Sequence, residues 1–158
     1  MPNLPEAIWQ RRLESEFEEM RESGFKFDCT SDKTRYVISL HGPGLARNGD
    51  AIERRDFHSV QIDLLRSFPY PGSVEITWLT PIFHPNIREQ DGIVCIQLVN
   101  QWAETVAVAS LTRALKQLLE NPNPGDPLNR NAADYFIAHP NALSSSAPAE
   151  IKKPRIVR

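Results

Sequence analysis

Residues 84–102 read HPNIREQDGIVCIQLVNQW, and neither a period of two nor one of 3.6 runs through them. An unpatterned stretch of about 20 residues inside a compact domain is usually either functional or disordered. Ile93, Val94, Cys95, Ile96, Leu98 and Trp102 make this one too apolar for disorder. It is expected to be ordered but irregular, the kind of backbone on which reactive side chains are presented.

Strands precede it. Val74, Ile76 and Trp78 alternate with Glu75, Thr77 and Leu79. Val60, Ile62 and Leu64 alternate with Gln61, Asp63 and Leu65, and Tyr36, Ile38 and Leu40 with Val37, Ser39 and His41. Short connections between such strands predict an antiparallel meander. Gly42-Pro43-Gly44 reads as a chain break, and polar Ala46 to Asp56 as a long exposed loop. Further upstream, Trp9, Leu13, Phe17 and Met20 fall at helical spacing between Pro5-Glu6 and Gly24, with Arg11, Arg12, Glu14, Glu18 and Glu19 outside.

Downstream, Val108, Leu111, Leu115, Leu118 and Leu119 share one face of a helix from about Ala107 to Glu120, ended by Asn121-Pro122. A second helix is predicted from the N-cap Asn129 to just before Pro140. From Ser144 onward small, polar and proline residues dominate, so residues 144–158 are expected to be a flexible tail after a domain of residues 1–143. The fold class is α+β.

A chain of 158 residues can bury a core without disulfides or metal. The net charge of −2 argues against a nucleic-acid partner, which recruits a basic surface. No apolar run approaches the roughly 20 residues that span a bilayer. Met1 to Arg12 lacks an apolar signal-peptide centre, so a cytoplasmic protein is expected. Cys29 and Cys95 lie far apart with no paired Cys or His spacing, which excludes a zinc ribbon or a CxxC redox motif. No metal site is expected.

The order of elements, with His84-Pro85-Asn86, Gly92-Ile93-Val94-Cys95-Ile96, Trp102 and the turn Pro122-Asn123-Pro124-Gly125-Asp126-Pro127-Leu128, resembles the ubiquitin-conjugating enzyme family over about residues 5–140. The resemblance implies that fold: an N-terminal helix, a four-stranded antiparallel meander beginning near Cys29, an irregular active-site segment and C-terminal helices. It also implies that Cys95 accepts a ubiquitin-like protein as a thioester from an activating enzyme and passes it to an amine. A thiol suits this role, since sulfur is both a good nucleophile and a good leaving group. By the same resemblance Asn86 either donates to the oxyanion or supports the loop around Cys95. Asp126 either orients the incoming amine or caps the following helix. His84 and Pro85 hold the loop, and Trp102 packs in the core or loop. Arg11 and Arg12 match positions that face the activating enzyme. No cofactor is implied for this chain, ATP being used by the activating enzyme.

The chain departs from the family pattern in places. Asn86 and Cys95 are nine positions apart, one more than the pattern, with the extra residue in Arg88-Glu89-Gln90-Asp91. Tyr70-Pro71 is followed by Gly72-Ser73, and Trp102 by Ala103-Glu104-Thr105, where RING-type ligases would meet apolar side chains and a Ser-Pro-Ala loop. A non-standard ligase, or none, is therefore expected. The family's last long helix is missing from the sequence pattern, which suggests a specialised or prokaryotic pathway. Two rival readings are a non-catalytic scaffold of the same fold and a thiol hydrolase. The hydrolase needs a His base, yet no motif places His41, His58 or His139 beside Cys95.

Overall fold

The computed structural model describes residues 2–94 and 107–144. The first helix, α1 (Glu6–Glu22), buries Trp9, Leu13, Glu16 and Met20 and leaves its other charged residues outward or half-covered. Four strands follow: β1 (Lys26–Cys29), β2 (Arg35–Asn48), β3 (Ala51–Leu64) and β4 (Val74–Trp78). They form one sheet in sequence order, every neighbouring pair antiparallel. Two helices close the described chain, α2 (Val108–Glu120) and α3 (Arg130–Ala138).

The alternation in the sequence becomes the two faces of the sheet. Tyr36, Ile38 and Leu40, then Val60, Ile62 and Leu64, then Val74, Ile76 and Trp78 point inward against α1 and α2. From α2 come Val108, Leu111, Leu115, Leu118 and Leu119, all buried. Each large aliphatic removed from water stabilises the fold by about 1.5–3 kcal/mol, so this cluster dominates stability.

The expected break at Gly42-Pro43-Gly44 and loop at Ala46 to Asp56 are not observed. β2 continues through a register shift between His41 and Gly44 and pairs with β3 from Gly44↔Arg55 to Asn48↔Ala51. A bulge bends the ladder without ending it. The outer half of this hairpin is ordered by a second cluster. Leu45, Phe83 and Ala132 are buried together, with Ile52, Tyr135, Phe136 and Leu143 packed against them. The turn is Gly49-Asp50, with Gly49 at φ +61°, which suits a two-residue hairpin with Gly at its first position. Among the described residues no helix is long and apolar enough to cross a membrane.

Candidate active site

His84 stands at the centre of the site and is fully enclosed. The Asn86 backbone N–H donates to its Nδ1 at 3.0 Å, so the proton sits on Nε2, which meets the Leu118 carbonyl at 2.8 Å. Burial pushes its pKa down to about 4, so the ring is neutral at pH 7. An imidazole with both nitrogens bound to backbone joins the end of α2 to the 84–87 turn and has no proton to exchange with a substrate.

Asn86 is 2% exposed and grips the second proline turn from both ends of its amide. Its Nδ2 donates to the Asn123 carbonyl at 2.9 Å, and its Oδ1 accepts the Asn123 N–H at 2.9 Å. Pro85 extends the clamp: its carbonyl accepts the N–H groups of Leu128 and Asn129, at 2.8 and 3.0 Å. Asn123 in turn accepts the Gly125 N–H through Oδ1 at 3.0 Å, shaping the turn that carries Asp126. Among the described residues, the second Nδ2 hydrogen of Asn86 has no acceptor.

Asp126 lies at the tip of that turn, exposed, at φ +59°. The alternative that it caps the following helix does not hold. Asn129 is the N-cap of α3, its Oδ1 accepting the Ala132 N–H at 3.0 Å. Among the described residues the Asp126 carboxylate has no hydrogen-bond partner.

Residues 87–94 form a small hairpin leading to Cys95. Ile87 bridges to Val94, Thr77 of β4 bridges to Ile93, and the Arg88 N–H donates to the Ile93 carbonyl at 2.9 Å. Gly92, at φ +76°, lies against the Trp78 backbone, whose N–H donates to the Gly92 carbonyl at 2.7 Å. The four residues holding the insertion make the hairpin's outer turn. Arg88 Nη2 meets Asp91 at 2.8 Å and holds that carboxyl below its usual range. Glu89 reaches Arg47 at 2.8 Å, and the Arg47 guanidinium lies over the Phe83 ring at 4.8 Å. The extra residue is thus absorbed beyond the Ile87–Val94 bridge.

Cys95 and Trp102 lie outside the described residues, as do Ala103, Glu104 and Thr105. Cys29 ends β1, half-buried, its thiol raised in pKa chiefly by that burial and so less ionised than an ordinary thiol. Arg11 is exposed. Arg12 is turned into the fold: its Nε binds Glu16 at 2.8 Å and its guanidinium lies 5.0 Å from the Phe68 ring centroid. Among the described residues nothing lies within contact of a Cβ at Gly72, which sits at φ +82°, and Tyr70, two residues earlier, presents a partly exposed ring. The sequence motifs contain Asn123 and Gly92 without assigning them a role, and they do not contain Glu16; all three hold the site. Of these, Gly92 had a legible signal, a glycine beside a strand where backbones meet closely.

Comparison with known proteins agrees with this geometry. The ubiquitin-conjugating enzyme family model matches residues 12–150. The wheat (Triticum aestivum) "Ubiquitin-conjugating enzyme E2-23 kDa" is 32% identical over 138 residues, covering 85% of this chain and 72% of that protein. The Dictyostelium discoideum "Ubiquitin conjugating enzyme E2 B" is 28% identical over 120 residues, 75% of this chain and 76% of its own. Among solved structures, the E2 domain of a Toxoplasma gondii ubiquitin conjugating enzyme superposes with a TM-score of 0.66 at 22% identity, covering 87% of this chain and 92% of that one. With His84, Asn86 and the two proline turns assembled into one clamp, and with the match running through nearly the whole described chain, this protein belongs to the ubiquitin-conjugating enzyme family.

Proposed function

We propose that this chain carries a ubiquitin-like protein as a thioester on Cys95 and transfers it to a lysine or another amine. In the first step the Cys95 thiolate attacks the carbonyl carbon of a thioester on an activating enzyme, and that enzyme's thiolate leaves. In the second, an amine nitrogen attacks the Cys95 thioester. Negative charge gathers on the carbonyl oxygen, the Cys95 thiolate departs, and the amine loses a proton as the amide forms. No cofactor acts in either step; ATP is consumed by the activating enzyme. The partners are the ubiquitin-like protein, the activating enzyme and, where one is used, a ligase that does not rely on an apolar anchor at Gly72. A cytoplasmic setting, which keeps Cys95 reduced, fits this chemistry.

The observation that carries this reading is the reciprocal Asn86–Asn123 pair. It fixes the Asp126 turn against the hairpin whose last described residue, Val94, directly precedes Cys95. A scaffold has no need of an exposed carboxylate, unpartnered among the described residues, at this turn, whereas an incoming ammonium, with a reference pKa near 10.4, gains from one. His84, buried with both ring nitrogens hydrogen-bonded to backbone, does not offer the base that a hydrolase needs.

The test separates loading from discharge. Thiols react without much assistance, whereas amine attack needs oxyanion stabilisation and a guided amine. Asn86→Ala and Asp126→Ala should load normally in the presence of activating enzyme and ATP. Single-turnover discharge to lysine should fall about 10-fold or more, which is roughly 1.4 kcal/mol of barrier. Equal losses in both steps would assign the two residues to folding alone.

A further inference from the structure

Among the described residues the turn between α2 and α3 leaves the Asp126 carboxylate without a hydrogen-bond donor, and the nearby amides show how. Pro124 and Pro127, on either side of Gly125-Asp126, carry no N–H. The Gly125 N–H donates to Asn123 Oδ1 at 3.0 Å. The Leu128 N–H, two residues on and the usual partner of an aspartate in a turn, goes instead to the Pro85 carbonyl at 2.8 Å. The Asn129 N–H joins it there at 3.0 Å, and Asn129 also fills the N-cap of α3. Asp126 stands at φ +59°, although the neighbouring Gly125 could take the left-handed backbone without steric cost and does not. The other left-handed non-glycine residue among those described, Lys33, closes the tight turn between β1 and β2, its N–H bonded to the Thr30 carbonyl at 2.9 Å. No hairpin closure explains Asp126, and its place before Pro127 favours extended backbone. Strain of this kind persists where the surroundings over-determine it, and it gathers at functional sites.

We propose that this turn keeps the Asp126 carboxylate unpaired for a cationic partner, and that the Asn123 side chain is the positioning residue that holds it so. The cation is the ammonium group of the acceptor, a part that rests on the reading of the chain as a carrier that acylates amines; the structural part does not. Asn123 serves two ties through separate atoms. Its main-chain N–H and carbonyl bind Asn86, each at 2.9 Å, and its side-chain oxygen binds Gly125. Removing the side chain therefore spares the clamp and frees only the amide that precedes Asp126. With Gly125 released, the left-handed backbone passes from Asp126 to the glycine, where it meets no Cβ, and the carboxylate leaves the orientation it holds.

The experiment uses the full chain, labelled with carbon-13 and nitrogen-15, as Asn123→Ala, Asn123→Asp, Asp126→Ala, Asp126→Gly and the double alanine variant. In Asn123→Ala the backbone carbon shifts of Asp126, which report φ, should leave their left-handed values while the Asn86 side-chain amide stays in place. Asn123→Asp, whose carboxylate accepts from Gly125, should keep the Asp126 shifts. In discharge of preloaded thioester to free lysine, Asn123→Ala should raise the half-saturating lysine concentration about threefold, a larger change than in the maximal rate. Asn123→Asp should restore it, and Asn123→Ala should add nothing to Asp126→Ala. In urea, Asp126→Gly should unfold at higher denaturant than Asp126→Ala, since glycine meets no Cβ penalty at φ +59°. Unmoved Asp126 shifts in Asn123→Ala, a loss confined to the maximal rate, or equal stability of the two Asp126 variants would overturn the proposal. If Asn123→Ala does not fold, the order of the two Asp126 variants decides alone. An Asp126→Ala thioester that discharges as fast as wild type would refute the acceptor reading, and the Asp126 shifts would still decide whether Asn123 holds the turn.

Discussion

His84 spends both ring nitrogens on backbone, and the consequence is a pH dependence with a definite sign. Its folded pKa, about 4, lies below the ordinary value of 6.5, so the folded state binds fewer protons than the unfolded one. The stability it contributes is present above pH 6.5 and is lost as pH falls toward 4. By pH 5 the loss is about 2 kcal/mol from this residue. His58, also lowered by burial, adds in the same direction. Urea unfolding should therefore show a clearly lower midpoint at pH 5 than at pH 7.5, and His84→Gln should flatten the difference. An unchanged wild-type midpoint at pH 5 would mean that the imidazole is not buried neutral. The motif made His84 legible as a loop-holding residue. The Asn86 partner was not legible, because Asn86 binds only the main chain of Asn123, and backbone partners leave no mark in side-chain identity.

At the scale of elements, the hairpin before Cys95 depends on Gly92. A Cβ there would collide with the Trp78 carbonyl, and the positive φ strains any other L-residue. Gly92→Ala should cost about 2–4 kcal/mol in urea unfolding and slow thioester formation, since the hairpin must shift away from β4. A variant as stable and as fast as wild type would show that the contact yields freely. The helices and the inward strand faces were legible because their periods are local: Val60, Ile62 and Leu64, or Leu111, Leu115 and Leu119. The outer half of the β2–β3 hairpin was not. Arg47, Asn48, Glu53, Arg54 and Arg55 give it polar residues on both faces, and Leu45 and Ile52 are covered by Phe83 and by residues in and just after α3, some 80 residues later in the chain. The Asn48-Gly49-Asp50 turn was the available clue, and the expectation of a chain break at Gly42 masked it. A glycine pair around a proline can bulge a strand as well as end it.

For the whole molecule, the disposition of lysines limits self-modification. The chain has five, and two are engaged in the fold: Lys116 Nζ donates to the His41 carbonyl at 2.9 Å and pairs with Glu120, and Lys33 pairs with Glu14 over the Phe17 ring. Freeing either amine means breaking these contacts before attack. Lys26 lies exposed on β1. Automodification should therefore spare Lys33 and Lys116 and fall on Lys26 or, chiefly, on Lys152 and Lys153 of the tail expected from the sequence to be flexible. Peptide mass spectrometry that finds Lys116 as the main site would contradict this.

The central claim, that Cys95 and not Cys29 is the acyl carrier, unites the clamp, the hairpin and the family match. Cys29 ends an edge strand with a thiol that burial makes less reactive, whereas Cys95 follows directly on the hairpin that Gly92 holds against β4. The most direct measurement is loading by a cognate activating enzyme with ATP, read on gels run with and without reductant. Wild type and Cys29→Ser should each form an adduct that reductant removes. Cys95→Ser should form only an oxyester that resists reductant and yields to hydroxide. A reductant-sensitive adduct retained in Cys95→Ser, or lost in Cys29→Ser, would contradict the account.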